Sequence, residues 1–86
     1  MNYQVIIESN VEKQVLDLDK KTLKRIIESI EKLKREPRPN GCTKLQVLDG
    51  YRIRVGDFRI LYTISDSNQL VTIYKISKRS EAYKIN

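Results

Sequence analysis

Histidine and tryptophan are absent from this chain, and cysteine is nearly so, because Cys42 is the only one among 86 residues. Without histidine there is no Ser-His or Cys-His pair to activate a nucleophile, so conventional hydrolase sites are excluded. The three glycines are scattered and form no phosphate-binding loop. One cysteine can form neither an internal disulfide nor, without histidine, a set of metal ligands. The sequence therefore predicts no metal and no cofactor, and it favours a reducing cytoplasm.

Long apolar segments are lacking as well. No run is long enough to span a membrane, and Met1–Asn10 does not follow the pattern of a signal peptide. With 40% hydrophobic and 33% charged residues, residues 1–86 are expected to form one globular domain. A chain of this length has one modest core, so we expect any active site to be a shallow surface groove.

Positive charge is what the chain has in excess. It contains 17 lysine and arginine residues against 11 aspartate and glutamate residues, a formal net charge of +6, and most of the excess lies in residues 41–86. This balance favours nucleic acid or an acidic protein segment as a partner. A solvated basic surface without a partner is, however, the commoner case among small domains.

The order of the predicted elements indicates an α+β domain in two layers, with an N-terminal strand, two helices and then an antiparallel β-meander. The predicted segments are a strand within Tyr3–Glu8, helices over about Val11–Leu18 and Lys20–Arg35, and strands over Tyr51–Val55, Phe58–Ser65 and Leu70–Ser77. Leu45–Leu48 is predicted as a short strand or as the lead-in to one, and Asp49-Gly50 and Gly56-Asp57 are predicted turns. Ser9 or Asn10 is placed to cap the first helix, and Asp19 to cap the second. Pro37 and Pro39 cannot continue the second helix, which is therefore expected to end before them.

The second predicted helix carries one apolar stripe. The stripe follows the three-and-four spacing of a buried helix face, and its members are Leu23, Ile26, Ile27, Ile30 and Leu33. We interpret it as core and assign it no function.

The basic hairpin of residues 51–62 is the feature from which function can be inferred. Alternation along its first strand places Arg52 and Arg54 on one face and the apolar neighbours on the other, and Arg59 lies on the second strand. Guanidinium groups projecting side by side from a rigid strand form a cationic surface suited to phosphate. The exposed face of an ordinary strand explains Arg52 and Arg54 equally well when they are taken alone.

Further basic residues follow the hairpin, and tyrosines are interleaved with them. The basic residues are Lys75, Lys78, Arg79 and Lys84, and the tyrosines of the region are Tyr51, Tyr62, Tyr74 and Tyr83. The mixture fits single-stranded RNA better than a DNA groove, because arginine and tyrosine can both stack on bases. Tyr51, Tyr62 and Tyr74 fall in step with apolar residues, however, and such tyrosines more often pack in a core or at an edge.

Residues Leu48–Tyr62 (LDGYRIRVGDFRILY), followed one strand later by Lys78–Tyr83 (KRSEAY), resemble the RelE/ParE superfamily of bacterial and archaeal toxins. The resemblance covers essentially the whole chain, and the order of elements matches that of the RelE-like fold. The hairpin motif is fairly specific, whereas the C-terminal Arg-x-x-x-Tyr pattern alone would be weak. The chain is accordingly identified as a single RelE-like toxin domain over residues 1–86.

The resemblance to the RelE branch implies a ribosome-dependent mRNA endonuclease, the toxin of a type II toxin–antitoxin system. It implies entry into the A site of the small ribosomal subunit, translation inhibition and cleavage of the mRNA codon there. In that family the RNA 2′-hydroxyl attacks the adjacent phosphate, leaving a 2′,3′-cyclic phosphate and a 5′-hydroxyl, and no metal is required. The implied partners are the ribosome, mRNA and a cognate antitoxin, an acidic or amphipathic segment that folds onto the basic domain.

The family's site residues map onto the matching positions of this chain. The catalytic set implied is Arg59, Arg79 and Tyr83. The RNA-binding set we expect is Arg52, Arg54, Lys44, Lys75, Lys78 and Lys84.

The proton acceptor is the open point in this assignment. Arginine stays protonated, and tyrosine, with an ordinary pKa of about 10, is a poor base near neutral pH. The best-studied family members have lysines where this chain has Arg52 and Arg54. Tyr83 is our first choice as the general base, and the alternatives are Lys44, Lys75 and Lys78. At Lys78 many relatives have histidine, so we expect a phosphate contact there.

Two other functions compete with the nuclease. A ParE-like toxin shares the fold but poisons DNA gyrase through protein contact, and it does not need the Arg59, Arg79 and Tyr83 set. A catalytically inactive relative would bind RNA through its arginines without cutting it.

Overall fold

The computed structural model describes residues 2–46 and 50–78 of the chain. The elements in these residues are β1 (Gln4–Ile7), α1 (Ser9–Leu16), α2 (Lys20–Arg35), β2 (Thr43–Lys44), β3 (Gly50–Val55), β4 (Phe58–Ser65) and β5 (Leu70–Lys78). The α+β class and the order of elements predicted from the sequence are confirmed. No described helix has the length and apolar character needed to cross a membrane.

The strands form one five-stranded sheet in the order β1-β5-β4-β3-β2. The segment from β3 to β5 is an antiparallel meander, as predicted. The sequence predicted β1 as a strand but not its partner in the sheet. β1 pairs in parallel with β5, where Val5 lies opposite Val71 and Ile7 opposite Ile73. The sheet therefore contains both parallel and antiparallel pairs. β4 lies between β3 and β5 and is hydrogen-bonded to both.

A single core lies between the helices and one face of the sheet. The helices contribute Val11, Val15, Ile26, Ile30 and Leu33, and the strands contribute Tyr51, Ile53, Val55, Ile60, Tyr62, Ile64, Val71, Ile73 and Ile76. Because strand residues alternate between faces, the residues between these buried positions lie on the opposite face of the sheet. We call that opposite face the outer face.

The second helix has the boundaries that the sequence predicts, and its apolar stripe is narrower than expected. Ile26, Ile30 and Leu33 are buried and Leu23 packs partly against the core, but Ile27 is 47% exposed. With about 3.6 residues per turn, Ile27 lies about 100° around the helix from Ile26 and so at the margin of the buried face. The assignment of Ile27 to the core was wrong.

The first helix begins and ends two residues earlier than predicted. Glu8, not Ser9 or Asn10, occupies the N-cap position, and no side chain caps the helix there. The reason is that Glu8 still belongs to the strand pairing, since its N–H donates to the Ile73 carbonyl at 3.1 Å, while its own carbonyl accepts from Val11. The chain turns directly from sheet into helix, which leaves no room for a separate capping residue. Asp19 does occupy the N-cap of α2, also without a side-chain hydrogen bond.

The strand predicted over Leu45–Leu48 is also displaced. The observed strand β2 is Thr43–Lys44, which pairs with Arg52 and Tyr51 at the sheet edge. Leu45 follows it and closes the loop by donating its N–H to the Gly50 carbonyl at 2.9 Å. Residues 47 and 48 of the predicted segment lie outside the described residues. So does residue 49 of the predicted turn, whereas Gly50, its other residue, is the first residue of β3.

The β3–β4 hairpin turns through Gly56 and Asp57, as predicted. Gly56 has a φ of +59°, which fits the first central position of a type II′ turn, where glycine is preferred. This two-residue turn fixes the register of β3 against β4, and with it the positions of the arginines on both strands.

Candidate nucleic-acid interface

Three arginines and one lysine lie together on the outer face. In the pairing of β3 with β4, Arg54 lies directly opposite Arg59, and Arg52 lies opposite Leu61. Leu61 in turn lies opposite Lys75 on β5. We call the surface formed by Arg52, Arg54, Arg59 and Lys75 the arginine face. Arg54 and Lys75 are exposed, whereas Arg52 and Arg59 are half-buried.

The alternation that predicted this face is confirmed by burial. Tyr51, Ile53 and Val55 are buried against the helices, so Arg52 and Arg54 between them point to the other side. Residues directly opposite each other in an antiparallel pair have Cβ atoms about 5 Å apart, so the backbone holds the Arg54 and Arg59 side chains as neighbours. Like charges in that position destabilise a sheet, so fold stability does not account for the pair.

The other predicted site residues lie elsewhere. Lys44 pairs with Tyr51 and Lys78 pairs with Phe58, which places both on the helix side of the sheet by register, at its margins. Arg79, Tyr83 and Lys84 lie outside the described residues. Of the predicted set, the structure therefore brings together the four members of the arginine face.

Tyr51 and Tyr62 pack within the core, as their pattern predicts. Their rings stack with centroids 6.0 Å apart, and Tyr62 is fully buried. Two cations lie over the Tyr51 ring, the Arg38 guanidinium at 5.1 Å and the Lys44 ammonium at 5.3 Å from the ring centroid. Neither tyrosine presents a free ring to a nucleic-acid base.

Arg38 joins three parts of the fold, a role that no pattern in the sequence indicated. Its Nε donates to the Tyr51 hydroxyl at 3.0 Å, and its two terminal nitrogens donate to the Asp66 carboxylate at 3.3 and 2.9 Å. Asp66 also accepts a 2.6 Å hydrogen bond from the Tyr3 hydroxyl. Arg38 and Asp66 are 28 residues apart, so no local spacing could have revealed the pair. Arg38 thereby helps to hold Tyr51, the neighbour of Arg52, in place.

These contacts shift the pKa values of the groups involved. The hydrogen bond from Arg38, followed by that from Tyr3, lowers the pKa of Asp66. The same carboxylate raises the pKa of Tyr3, mainly by accepting its proton in a hydrogen bond. Burial raises the pKa of the Tyr62 phenol, whose hydroxyl donates to the Pro37 carbonyl at 2.7 Å. All three groups thus hold their neutral-pH charge states firmly, which suits a structural role.

Metal-binding groups are not clustered in residues 2–46 and 50–78, where no three His, Cys, Asp or Glu side chains lie close enough to hold an ion. Cys42 is a half-buried free thiol. The arginine face itself offers fixed cations that can contact an anionic group.

Comparisons with known proteins agree with this fold and surface. The family model described as the ParE toxin of the type II toxin–antitoxin system parDE matches residues 5–83. A protein of Methanocaldococcus jannaschii, provisionally named toxin RelE1, is 38% identical over 98% of this chain and 98% of its own length.

Among solved structures, the archaeal RelE–RelB complex of Pyrococcus horikoshii OT3 contains a chain with 33% identity and a TM-score of 0.84, covering 92% of this chain and 97% of that one. The toxin–antitoxin complex RelBE2 of Mycobacterium tuberculosis contains one with 24% identity and a TM-score of 0.80, covering 92% and 100%. The second likeness supports the fold alone.

Proposed function

The chain belongs to the ParE toxin family of type II toxin–antitoxin systems, within the RelE/ParE superfamily, and on that premise we propose that it is a ribosome-dependent mRNA endonuclease of the RelE type. The observation that supports this most strongly is the register of β3 against β4, which sets Arg54 opposite Arg59 with Arg52 beside them. Such a surface binds phosphate groups, because arginine offers a planar set of donors that is always charged.

In the proposed reaction the RNA 2′-oxygen attacks the adjacent phosphorus and the bond from phosphorus to the 5′-oxygen breaks. The attacking hydroxyl loses its proton to a base, the leaving oxygen gains one, and the products end in a 2′,3′-cyclic phosphate and a 5′-hydroxyl. Arg59 and Arg54 would stabilise the charge that builds on the phosphoryl oxygens. Fixed donors of this kind contribute several kcal/mol, about 3–4 for a single donor in a well-studied protease.

The proposed proton acceptor is Tyr83. Arg79 is proposed to stabilise the charge on the phosphoryl oxygens together with Arg59. Among the lysine alternatives, Lys75 has the support of lying on the arginine face, whereas Lys44 and Lys78 lie toward the helices. Lys44, Lys78 and Lys84 keep the proposed role of contacts to RNA backbone around that face. A site with strong charge stabilisation and a weak base fits dependence on the ribosome, which would hold the message in a reactive geometry at its A site.

A cognate antitoxin in the cytoplasm is the partner we propose besides the ribosome and mRNA. The solved relatives from Pyrococcus horikoshii and Mycobacterium tuberculosis are toxin–antitoxin complexes. In this chain Leu16 on α1 is 71% exposed and Ile27 on α2 is 47% exposed, and both would suit the apolar side of an amphipathic antitoxin segment. The net charge of +6 suits acidic residues on such a segment.

The description of the matching family favours a second candidate, a gyrase inhibitor of the ParE type. Induced expression in cells separates the two functions. For the nuclease we expect mRNA to acquire new 5′ ends within reading frames, and protein synthesis to stop, before plasmid supercoiling changes. Loss of supercoiling with intact message would contradict the nuclease and support the gyrase inhibitor. Ribosome binding with intact message would indicate the inactive RNA-binding relative.

A further inference from the structure

A groove runs between the C-terminal half of α2 and the loop of residues 36–41. It consists of two adjoining hollows of about 490 and 290 Å³, which share Lys32, Pro39 and Asn40. The larger hollow is completed by Arg35, Glu36 and Arg38, and the smaller by Ser29, Gly41, Ile53 and Arg54. We call this feature the α2 groove. It lies beside the arginine face, and several of its residues have no role in the proposed nuclease reaction.

The α2 groove is positively charged. Lys32, Arg35 and Arg54 are exposed, and none of them forms a side-chain hydrogen bond or ion pair with another described residue. Arg38 differs, because Asp66 offsets its charge at 2.9 Å. Glu36 is the one acidic residue among those that line the two hollows. Three cations that pair with no other side chain of the described residues, beside one carboxylate, give the groove an attraction for anions.

Arg54 connects the α2 groove to the arginine face. It lies opposite Arg59 on the sheet, and it also lines the smaller hollow together with Lys32 and Gly41. Gly41 has a φ of +89°, and a Cβ added there would meet no other atom within 4 Å, so the space beside Gly41 is open. A chain of phosphates bound across Arg59 and Arg54 can thus continue toward Lys32 and Arg35.

The lining favours nucleic acid over a protein segment. Pro39 and Ile53 are its apolar members, and Ile53 is only 8% exposed, so an amphipathic helix would find few apolar anchors there. The exposed apolar residues of the helices, Leu16 and Ile27, do not line either hollow. Ser29 and Asn40 instead add a hydroxyl and an amide, which can hydrogen-bond to phosphate and ribose oxygens.

We propose that the α2 groove is a second RNA subsite, which binds the sugar-phosphate backbone of nucleotides that follow those held on the arginine face. The inference rests on the proposed function, in that the same RNA strand occupies both surfaces. It assigns backbone contacts to Lys32 and Arg35, outside the hairpin and the C-terminal pattern.

The test is binding of the purified chain to fluorescent 2′-O-methyl RNA oligonucleotides, which lack the attacking hydroxyl and so are not cut. Affinity is measured against salt concentration for a series of oligonucleotide lengths. The variant is Lys32→Gln with Arg35→Gln. The matched control is Lys21→Gln with Lys24→Gln, which removes the same charge from exposed positions of the same helix that do not line the groove.

The groove variant is expected to lose affinity for long oligonucleotides and to bind the shortest ones as the wild-type chain does. Its slope of log affinity against log salt should be shallower by about 0.7 for each lost phosphate contact, hence by about 1.4. The control should keep the wild-type slope, and Lys32→Arg with Arg35→Lys should restore it.

Failure of this inference differs from failure of the proposed function. If the groove variant keeps the wild-type slope while Arg52→Ala with Arg59→Ala abolishes binding, the groove is not an RNA subsite although the arginine face is. If the groove variant keeps RNA binding but loses the antitoxin, the groove belongs to a protein partner and the inference is overturned. If both the groove variant and the arginine-face variant bind RNA as the wild-type chain does, this inference and the proposed function both fail.

Discussion

At the scale of single residues, Arg54 and Arg59 pose a conflict between stability and binding. They are directly opposite on neighbouring strands, where like charges cost about 0.2–1 kcal/mol. A sheet selected for stability alone would place a neutral or acidic residue at one of the two positions. The pair is therefore expected to behave as a binding feature that the rest of the fold stabilises.

The Arg54→Thr variant tests this conflict. Threonine suits a strand and removes one of the opposed charges, so we expect the free energy of unfolding to rise by up to about 1 kcal/mol while RNA binding weakens. Urea denaturation and RNA titration measure the two effects. Lys75→Thr is the matched control, because Lys75 faces Leu61 and relieves no such repulsion. A less stable Arg54→Thr protein with unchanged RNA binding would contradict this interpretation.

Tyr62 is fully buried, and its hydroxyl donates a hydrogen bond to the Pro37 carbonyl. The Tyr62→Phe variant leaves the Pro37 carbonyl without its 2.7 Å partner, which should lower the free energy of unfolding by about 1–3 kcal/mol. The measurement is a shift of the urea midpoint at constant slope. Tyr74→Phe is the control, because the Tyr74 hydroxyl bonds to no other described residue, and its stability should change by less than about 0.5 kcal/mol.

The Tyr62→Phe variant should also change how the free energy of unfolding depends on alkaline pH. Burial raises the pKa of Tyr62, so the folded chain keeps the phenol proton where the unfolded chain, with an ordinary value of about 10, releases it. The free energy of unfolding should therefore fall as the pH rises above about 10, and Tyr62→Phe should remove part of that fall. An equal alkaline loss in both proteins would show that Tyr62 does not contribute to it.

At the scale of elements, local patterns and long-range pairing differ in how well they could be predicted. The bounds of α2 and of β4 follow from apolar spacing and turn residues, which are local. The pairing of β1 with β5 joins Gln4–Ile7 to Leu70–Ile73, far along the chain, and no local pattern specifies it. The first helix was misplaced for a related reason, because the cap depends on the hydrogen bond from Glu8 to Ile73 in that same pairing.

The contacts of Asp66 join the segment before β1, the loop after α2 and the turn between β4 and β5. Because Arg38 and Tyr3 lower its pKa, Asp66 stabilises the fold at pH values above the ordinary aspartate pKa of about 3.9, and this stabilisation is lost as the pH falls through the lowered value. Asp66→Asn should therefore be less stable than the wild-type chain at neutral pH, and the difference should shrink below about pH 4.

Thermal denaturation at pH 7 and pH 3 measures this difference. Asp57→Asn is a suitable control, because Asp57 forms no side-chain hydrogen bond or ion pair with another described residue. A gap between Asp66→Asn and the wild-type chain that stays constant with pH would contradict the assignment. Asp66 also holds Arg38, which donates to the hydroxyl of Tyr51, the residue before Arg52. We therefore expect Asp66→Asn to weaken RNA binding modestly as well.

At the scale of the whole molecule, the fold separates two surfaces by placing both helices on one face of the sheet. The sequence predicted this two-layer arrangement and the arginines of the outer face, because alternation and apolar stripes report burial directly. It did not predict that Lys44 and Lys78 lie toward the helices, since that depends on strand register, or that α2 and the loop after it form a basic groove. Both features depend on residues that only the folded chain brings together.

At the same scale, we propose that the arginine face stabilises charge while message held by the ribosome is cut. The most direct measurement uses purified ribosomes carrying a defined mRNA and compares the wild-type chain with Arg59→Ala and Arg54→Ala. We expect the wild-type chain to cut the A-site codon only when ribosomes are present, leaving a 2′,3′-cyclic phosphate and a 5′-hydroxyl. Each variant should still fold. Each should cut at least about 100-fold more slowly than the wild-type chain, as expected on loss of a donor to the phosphoryl oxygens. Message that stays intact with the wild-type chain, or variants that cut at its rate, would contradict the account.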